Sequence, residues 1–505
     1  MGSTIMTLSK SNRPSYRIVV FIFLAAIILK IPYITNPISD WHSWNQISTM
    51  AVAKHIAFDE PRSLFPTKSD IFESFKPDSN ISYAEFPVLS GIIALAFSAL
   101  GGVVEWPARL ICIVFSAIGT VYFYKLVLEE TDENTSKIAV FIYLISPMVW
   151  YFHRTVMTDV VMVSFVIAGL YHFRWWLKEY KISSFILATF FTAVAALAKA
   201  YALYIGIAYL LMLIDHKGWK KLICPSNIIF AIGTLAPITI WLVYCQLQIG
   251  AGSAGRNLTV SNELIGPISI WFRYTYWSSL LASVGDFTLT PINFLIFLYV
   301  WFNFKLLKNC RISVYWLASV MFYFLFVRQG NMEHDYYQMP FSAPVILITA
   351  IGWKNLITRY KDRIPKRYFN IVGAVIVILL VLNASKYVHT KAKLNMSPVV
   401  LGQKLAELNL DKDRVLIVDS ESLQRNQAVF YSTALGWHTR GIPNIEDINQ
   451  YYQNGVRWVG LNLSQDELAS TLDTRRDYDQ KFSQVWANKS TNRYQKIKTL
   501  IIYRL

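Results

Sequence analysis

Apolar residues recur along this chain in runs separated by short polar, often basic, stretches. The runs lie near residues 17–36, 87–103, 108–127, 138–152, 160–176, 183–198, 201–214, 227–247, 291–307, 312–328, 338–353 and 369–384. A helix needs roughly 20 mainly apolar residues to cross the hydrocarbon core, so the pattern predicts an α-helical polytopic membrane protein of about 11 to 13 spans. The first run, Tyr16 to Ile34, is long and has no clear small-residue cleavage site, so it reads as a transmembrane helix and not as a cleaved leader. After residue 385 the pattern changes to many charges and short alternating segments. Val415-Leu416-Ile417-Val418 reads as a buried strand, Arg457 to Leu461 as a strand after a helix ending at Gly455, and Ile497 to Tyr503 as a last strand. The division is therefore a membrane domain over 1–385, with a long first loop at 37–86, and a small α/β domain over 386–505.

Composition agrees. The 505 residues are 54% hydrophobic and 16% charged, against about 25% charged in soluble domains. The 16 Trp and 29 Tyr suit a protein with two membrane–water interfaces to line. A net charge of +16 would suggest nucleic acid in a soluble protein. Here much of it sits in short loops, where it orients the chain; the partner it implies is the lipid bilayer, with no nucleic acid. Cys112, Cys224, Cys245 and Cys310 lie outside the first loop and the tail, form no CxxC pair, and read as packing residues.

Lys and Arg accumulate in cytoplasmic loops. Placing Lys10–Arg17, Lys178–Lys181, Lys217–Lys221, Lys305–Arg311 and Lys354–Arg367 inside puts 37–86, 153–159, 199–200, 248–290, 329–337 and everything after about 385 outside. Three runs then separate residue 86 from residue 153, both outward, so one must fail to cross: the stretch before Trp106-Pro107, or 138–152 with Pro147.

The outward segments carry the chemistry-bearing side chains. The first loop is far longer than a connector requires, and long loops are often functional. It opens on Ser39-Asp40-Trp41-His42-Ser43-Trp44-Asn45-Gln46 and closes on Tyr83-Ala84-Glu85-Phe86-Pro87. Arg154 and Asp159 precede the 160–176 run; Asp159 reads equally as an acid at a helix N-terminus. Lys199 lies between two apolar runs, a costly place unless it snorkels or faces a polar cavity. Arg328, Glu333, His334, Asp335, Tyr336 and Tyr337 crowd one further segment, which reads equally as a solvated loop. Cations can hold a phosphate leaving group, and a carboxylate can take the proton of an attacking hydroxyl.

In order and predicted sidedness these segments resemble the GT-C membrane glycosyltransferases, in the branch of the protein O-mannosyltransferases and the aminoarabinose transferase of lipid A. The resemblance spans roughly residues 15 to 385. It rests on Asp40 after the first helix, Tyr83 to Pro87 before the second, Arg154 with Asp159, Lys199 before small residues, and His334, Tyr336, Tyr337 and Pro340. It implies a donor sugar on a polyisoprenyl phosphate, an acceptor glycan, lipid or protein, and Asp40 as catalytic acid/base. Lys199, Arg154, His334 and Arg328 would bind the donor phosphate. Asp159 would orient Arg154 or the acceptor, or help hold a divalent metal, although no cofactor is required. His42, Tyr83, Glu85, Tyr336 and Tyr337 would contact substrate. Two positions depart from the family: Trp41 stands where relatives often carry a second acid, and Glu85 where the lipid A enzyme has a basic residue. The expected setting is a bacterial inner membrane with active site and C-terminal domain facing outward. In the tail, Gly436-Trp437-His438 reads as an acceptor contact or a packed turn. The competing readings are a transporter of lipid-linked glycan and a ligase that takes glycan from a diphosphate lipid; related halves, which transporters often show, are not evident.

Overall fold

The computed structural model describes residues 14–59, 70–71, 85–249, 264–408, 410, 413–419, 426–440, 443, 445–464, 483–490 and 498–504. The chain forms an integral membrane protein that divides into two compact units. The first comprises residues 1–34, 83–88 and 109–390; the second comprises 35–82, 89–108 and 391–505. The first loop and the C-terminal domain, far apart in sequence, thus belong to one unit.

Most of the helices follow the apolar runs. In order they are α1 (Tyr16–Ile28), then α2 (Ser43–Lys54) in the first loop, α3 (Val88–Leu100), α4 (Glu105–Glu130), α5 (Glu133–Ile145), α6 (Pro147–Phe152), α7 (Thr158–Glu179), α8 (Ile182–Ala198), α9 (Gly206–Lys217) and α10 (Pro225–Ile249). There follow α11 (Tyr274–Ala282), α12 (Pro291–Trp301), α13 (Arg311–Phe326), α14 (Arg328–Glu333), α15 (Met339–Tyr360) and α16 (Lys366–Lys391). Among the described residues five helical stretches are long and apolar enough to span: Glu105–Glu130, Thr158–Glu179, Pro225–Leu247, Asp335–Tyr360 and Lys366–Lys391. A sixth is the pair Tyr274–Thr288 and Pro291–Trp301, bent by 116°. Tyr16–Ile28, Val88–Leu100, Ile182–Ala198 and Arg311–Phe326 are shorter and apolar.

Both runs suspected of failing to cross are short. At 1.5 Å rise per residue α3 extends only about 20 Å. The 138–152 run breaks where Pro147 forces Ser146 out of helical geometry, at ψ 124°. The α11 helix lies in the stretch expected to be an external loop, because Tyr274 to Thr288 mixes Ser, Thr, Gly and Asp among its aromatics and no apolar run stands out.

Within the first unit, α7 packs along α8, α8 against α10, and α15 against α5, α12 and α13. Residues Met339 to Ala350 of α15 are all buried. Membrane helices approach closely through small residues, and a Cβ on Gly169 of α7 would lie 2.7 Å from Thr192 Oγ1 of α8.

The second unit ends in a five-stranded sheet of order β2-β1-β3-β5-β4, with β1 (Arg414–Asp419), β2 (Gly436–Thr439), β3 (Val456–Ser464), β4 (Ser483–Ser490) and β5 (Lys498–Arg504). The strands β2, β1 and β3 are parallel, and β5 runs antiparallel to both β3 and β4. A parallel strand covered on both faces reads as a continuous apolar run, as Val415 to Val418 do. Val415 and Ile417 pack with Trp458 and with Leu401 and Leu405 of α17 (Ser397–Ala406), while Leu416 and Val418 pack with Trp437 and Val459. Helices α18 (Gln427–Tyr431) and α19 (Ile445–Gln453) complete the domain. Gly455, at φ +92°, follows α19 in the conformation that ends helices and leads into β3. Gly436-Trp437-His438 is part of β2, with Trp437 buried, and not a turn. A Cβ at Gly436 would lie 2.0 Å from the Val415 carbonyl, so only glycine lets β2 approach β1 there.

Candidate functional site

Two groups of the expected side chains assemble, one in each unit. In the second unit Asp40 is buried, in a non-helical segment just before α2. Its Oδ1 accepts a hydrogen bond from Gln46 Nε2 at 2.8 Å, and its carbonyl accepts from Ser43 N at 3.1 Å. His42 precedes α2 in a left-handed conformation, φ +57°, and its carbonyl accepts from Asn45 N at 3.1 Å. A left-handed residue costs about 1–2 kcal/mol, and His is among the types that tolerate it best. It reverses the chain so that Gln46, on the first turns of α2, reaches back to Asp40. Trp41 is exposed, its ring lies 5.2 Å from that of His42, and Lys391 Nζ sits 3.8 Å above it.

In the first unit Lys199, Glu85, Thr158, Asp159 and Tyr201 form a connected cluster. Lys199 follows the last residue of α8 in extended geometry, so its side chain leaves the helical stack. Phe86 N donates to Leu197 O at 3.2 Å, which carries Glu85 to that end of α8. The Lys199 amine pairs with Glu85 and stands 3.7 Å from Asp159 Oδ2. Thr158 Oγ1 donates to Glu85 Oε2 at 2.5 Å, and the Tyr201 hydroxyl donates to Asp159. Asp159 is fully buried and Lys199 nearly so, whereas the Glu85 side chain is 29% exposed.

Asp159 is the acid in the first turn of α7, as expected at a helix N-terminus, and it has charged and hydroxyl partners as well. Met157 occupies the N-cap of α7 and makes no side-chain cap. Lys199 is paired and does not snorkel. The cluster holds one ammonium against two carboxylates, so Lys199 is already compensated by acids from its own chain.

Aromatic rings border it. Tyr201 lies 5.4 Å from both Tyr323 and Tyr337, and the Tyr323 hydroxyl donates to Tyr337 O at 2.8 Å. Tyr336 stacks on Tyr337 at 4.8 Å and on His334 at 5.3 Å. Of the two readings of this segment, the solvated loop does not describe its tyrosines, which form a packed stack joined to the cluster through Tyr337.

Arg154, buried between α6 and α7, lies with its guanidinium 5.2 Å from the Tyr33 ring and 4.9 Å from the Tyr151 ring. Arg328 departs from its expected role. Its Nε donates to Pro267 O at 2.9 Å, Nη1 to Leu325 O at 3.3 Å and Nη2 to Gly266 O at 2.5 Å, and its guanidinium lies 5.1 Å from the Trp271 ring. A guanidinium committed to three backbone carbonyls fastens the segment before α11 to the start of α14. Arg328→Met is accordingly expected to lower stability by about 1.5–3 kcal/mol or more, the worth of a hydrogen bond to a charged group, read as an earlier thermal unfolding transition in detergent. Tyr83 lies outside the described residues. Among the described residues no three His, Cys, Asp or Glu side chains converge as a metal site.

Gln46, Thr158, Tyr201 and Tyr323 were not legible as site residues. Thr158 and Tyr201 adjoin Asp159 and Lys199 in sequence, which is the one signal that points to them; Gln46 and Tyr323 carry none.

The sequence matches the family described as dolichyl-phosphate-mannose-protein mannosyltransferase over residues 85–244, a span that contains Glu85, Arg154, Asp159 and Lys199. No curated protein matches the sequence. Among solved structures, ArnT from Cupriavidus metallidurans bound to undecaprenyl phosphate superposes with a TM-score of 0.63 at 10% identity, covering 97% of this chain and 98% of that one. The Archaeoglobus fulgidus oligosaccharyltransferase in complex with Zn and sulfate superposes with a TM-score of 0.60 at 12% identity, covering 88% of this chain and 68% of that one. At such identities the likeness is one of fold, and the fold is that of the GT-C membrane glycosyltransferases.

Proposed function

We propose that this chain, built on the GT-C fold, is a membrane glycosyltransferase that moves a sugar from a polyisoprenyl-phosphate carrier to an acceptor hydroxyl outside the cytoplasm of a bacterium. The observation that carries the reading is the end-to-end likeness in fold to ArnT solved with undecaprenyl phosphate. The mannosyltransferase family match across the segment that holds the Lys199 cluster supports it.

In the proposed reaction the Asp40 carboxylate takes the proton of the acceptor hydroxyl as its oxygen attacks the anomeric carbon. The bond from that carbon to the phosphate oxygen breaks with inversion, and the polyisoprenyl phosphate departs with the electron pair. Lys199 and Arg154 compensate the charge gathering on the phosphate. Gln46, donating to one Asp40 oxygen, holds the carboxylate in a fixed orientation. Asp159 keeps Lys199 charged and in place from a fully buried position. His334, Tyr336 and Tyr337, which stack on one another, are the side chains proposed to contact the substrate.

A second reading, transfer of a preassembled glycan from a diphosphate lipid, draws on the likeness in fold to the archaeal oligosaccharyltransferase. One assay separates the two. Membranes containing the protein are supplied with radiolabelled undecaprenyl-phosphate sugars and, separately, with a diphosphate-linked glycan. Label passing from the monophosphate donor to an acceptor is the expected result. Consumption of the diphosphate-linked glycan alone would transfer the assignment to the second reading, and consumption of neither would overturn both.

A further inference from the structure

The segment Ile38–Ser43 carries Asp40 yet has almost no regular structure of its own, since α2 begins only at Ser43. What holds it comes from the other end of the chain. On one side Ser39 to Trp41 pair with the start of the C-terminal region: Asn395 N donates to Ser39 O at 2.9 Å, Ser39 Oγ donates to Asn395 O, and Trp41 N donates to Lys391 O at 3.1 Å. On the other side is α18. The Gln427 amide donates to Ile38 O at 3.3 Å and also to Ser43 Oγ, so a single buried side chain bridges both ends of the segment with Asp40 between them. One turn on, the Tyr431 hydroxyl accepts from Ile38 N at 2.8 Å and donates to Glu105 Oε1 at 2.9 Å.

The helix that presents these two side chains is itself tightly seated. A Cβ at Gly402 of α17 would lie 2.5 Å from the Ala428 carbonyl, so only glycine lets α17 and α18 meet this closely. The first loop is fastened to the sheet as well. Gly436 N donates to Asp70 O at 3.0 Å, Ile71 bridges to Gly436, and the Asp70 carboxylate receives Lys54 at 2.7 Å and lies 3.0 Å from His55 Nε2.

From this geometry we infer that the C-terminal α/β domain is the positioning device for Asp40, acting chiefly through Gln427 and secondarily through Tyr431. The inference rests on the reading of Asp40 as general base. A base must stand within hydrogen-bond reach of the proton it abstracts, and a misplacement of about 1 Å can cost 10²-fold in rate. The short-range bonds to Asp40, among them those from Gln46 Nε2 to its carboxylate and from Ser43 N to its carbonyl, do not meet that demand alone, because the segment has almost no regular structure. Side-chain bonds at Ile38 and Ser43, together with the backbone pairing at Ser39 and Trp41, do. The domain therefore acts on the catalytic step through the backbone of 38–43 and without itself touching the substrate.

The test is steady-state transfer by the full-length protein in detergent, at matched folded concentration, for wild type, Gln427→Leu, Tyr431→Phe and Asp40→Asn. Gln427→Leu is expected to lower kcat about 10- to 100-fold with donor KM within twofold, and to move the acidic limb of the pH profile, because the surroundings of the Asp40 carboxylate change. Tyr431→Phe, which removes one hydroxyl and keeps the ring, is expected to lower kcat several-fold with the same KM pattern. It remains informative where Gln427→Leu fails to fold. A purely structural role would reduce the yield of folded enzyme and leave kcat and the pH profile of the folded fraction unmoved; that result overturns the inference. Asp40→Asn separates the two levels. If it transfers sugar normally, the base reading has failed and the inference with it. If it is inactive while both α18 variants keep wild-type kcat, only the inference has failed.

Discussion

Asp40→Asn is expected to lower kcat for sugar transfer by about 10² to 10⁴, the usual contribution of a general base, while the protein folds and inserts as before. The substitution is nearly isosteric. The side-chain oxygen of Asn can still accept from Gln46 Nε2, and the Ser43 N bond to the residue 40 carbonyl is a backbone contact that the change leaves alone. What disappears is the negative charge that, in the proposed reaction, receives the acceptor's proton. The measurement is initial rate against donor and acceptor concentration for equal amounts of folded protein. A rate within a factor of three of wild type would remove Asp40 from the chemistry.

Lys199→Met has a different signature, because it acts on stability and chemistry together. It leaves the Glu85 and Asp159 carboxylates beside each other with no ammonium between them. Removing one partner from a buried ion pair typically costs 3–5 kcal/mol, since the other charge stays behind uncompensated. A large fall in the thermal transition is therefore expected, with transfer lost in whatever protein remains folded. Glu85→Gln added to Lys199→Met removes one of the orphaned charges and is expected to recover part of the stability without recovering transfer. Contacting residues couple in this way, by about 0.5–3 kcal/mol beyond additivity. If the double variant is no more stable than Lys199→Met, the carboxylate and the ammonium are not the energetic unit that the geometry implies. Glu85→Gln alone is milder, since Asp159 still compensates Lys199 and Thr158 can still bond the amide.

Glu85 stands where resemblance to the lipid A enzyme leads one to expect a basic residue, and its structural setting accounts for the difference. An acid at that point meets Lys199 and Thr158, so the charge contributed by residue 85 answers a cation supplied by α8. In the proposed reaction Glu85 is therefore not a phosphate contact, and the cations left to the phosphate are Lys199 and Arg154, the latter buried in the same unit.

Membrane class, the apolar helices, the break at Pro147, and strands β1, β3 and β5 were all legible in the order of residues, although the pattern predicts about 11 to 13 spans and at most six stretches among the described residues are long and apolar enough to cross. Each depends on a local property, whether hydropathy over about 20 residues, a proline beside its neighbour, or a short apolar run ended by glycine. The elements that escaped detection show the boundary of that logic: Ser43–Lys54 and Tyr274–Ala282 mix polar and apolar positions, and β4, Ser-Gln-Val-Trp-Ala-Asn-Lys-Ser, has an apolar stretch of only three residues between polar ones. The candidate ions Asp40, Arg154, Asp159 and Lys199 stood out because a charge near an apolar run is costly and therefore conspicuous. Their partners did not. Glu85 lies 73 positions from Thr158, and Gln427 lies 389 from Ile38, and no periodicity links residues so far apart. Arg328 looked like a phosphate ligand until the fold supplied three carbonyls for it. Charge and hydropathy are carried by each residue into any structure, so the sequence alone could declare them; which opposite charge or carbonyl a side chain meets depends on how distant segments close on one another, and only the tertiary structure decides that.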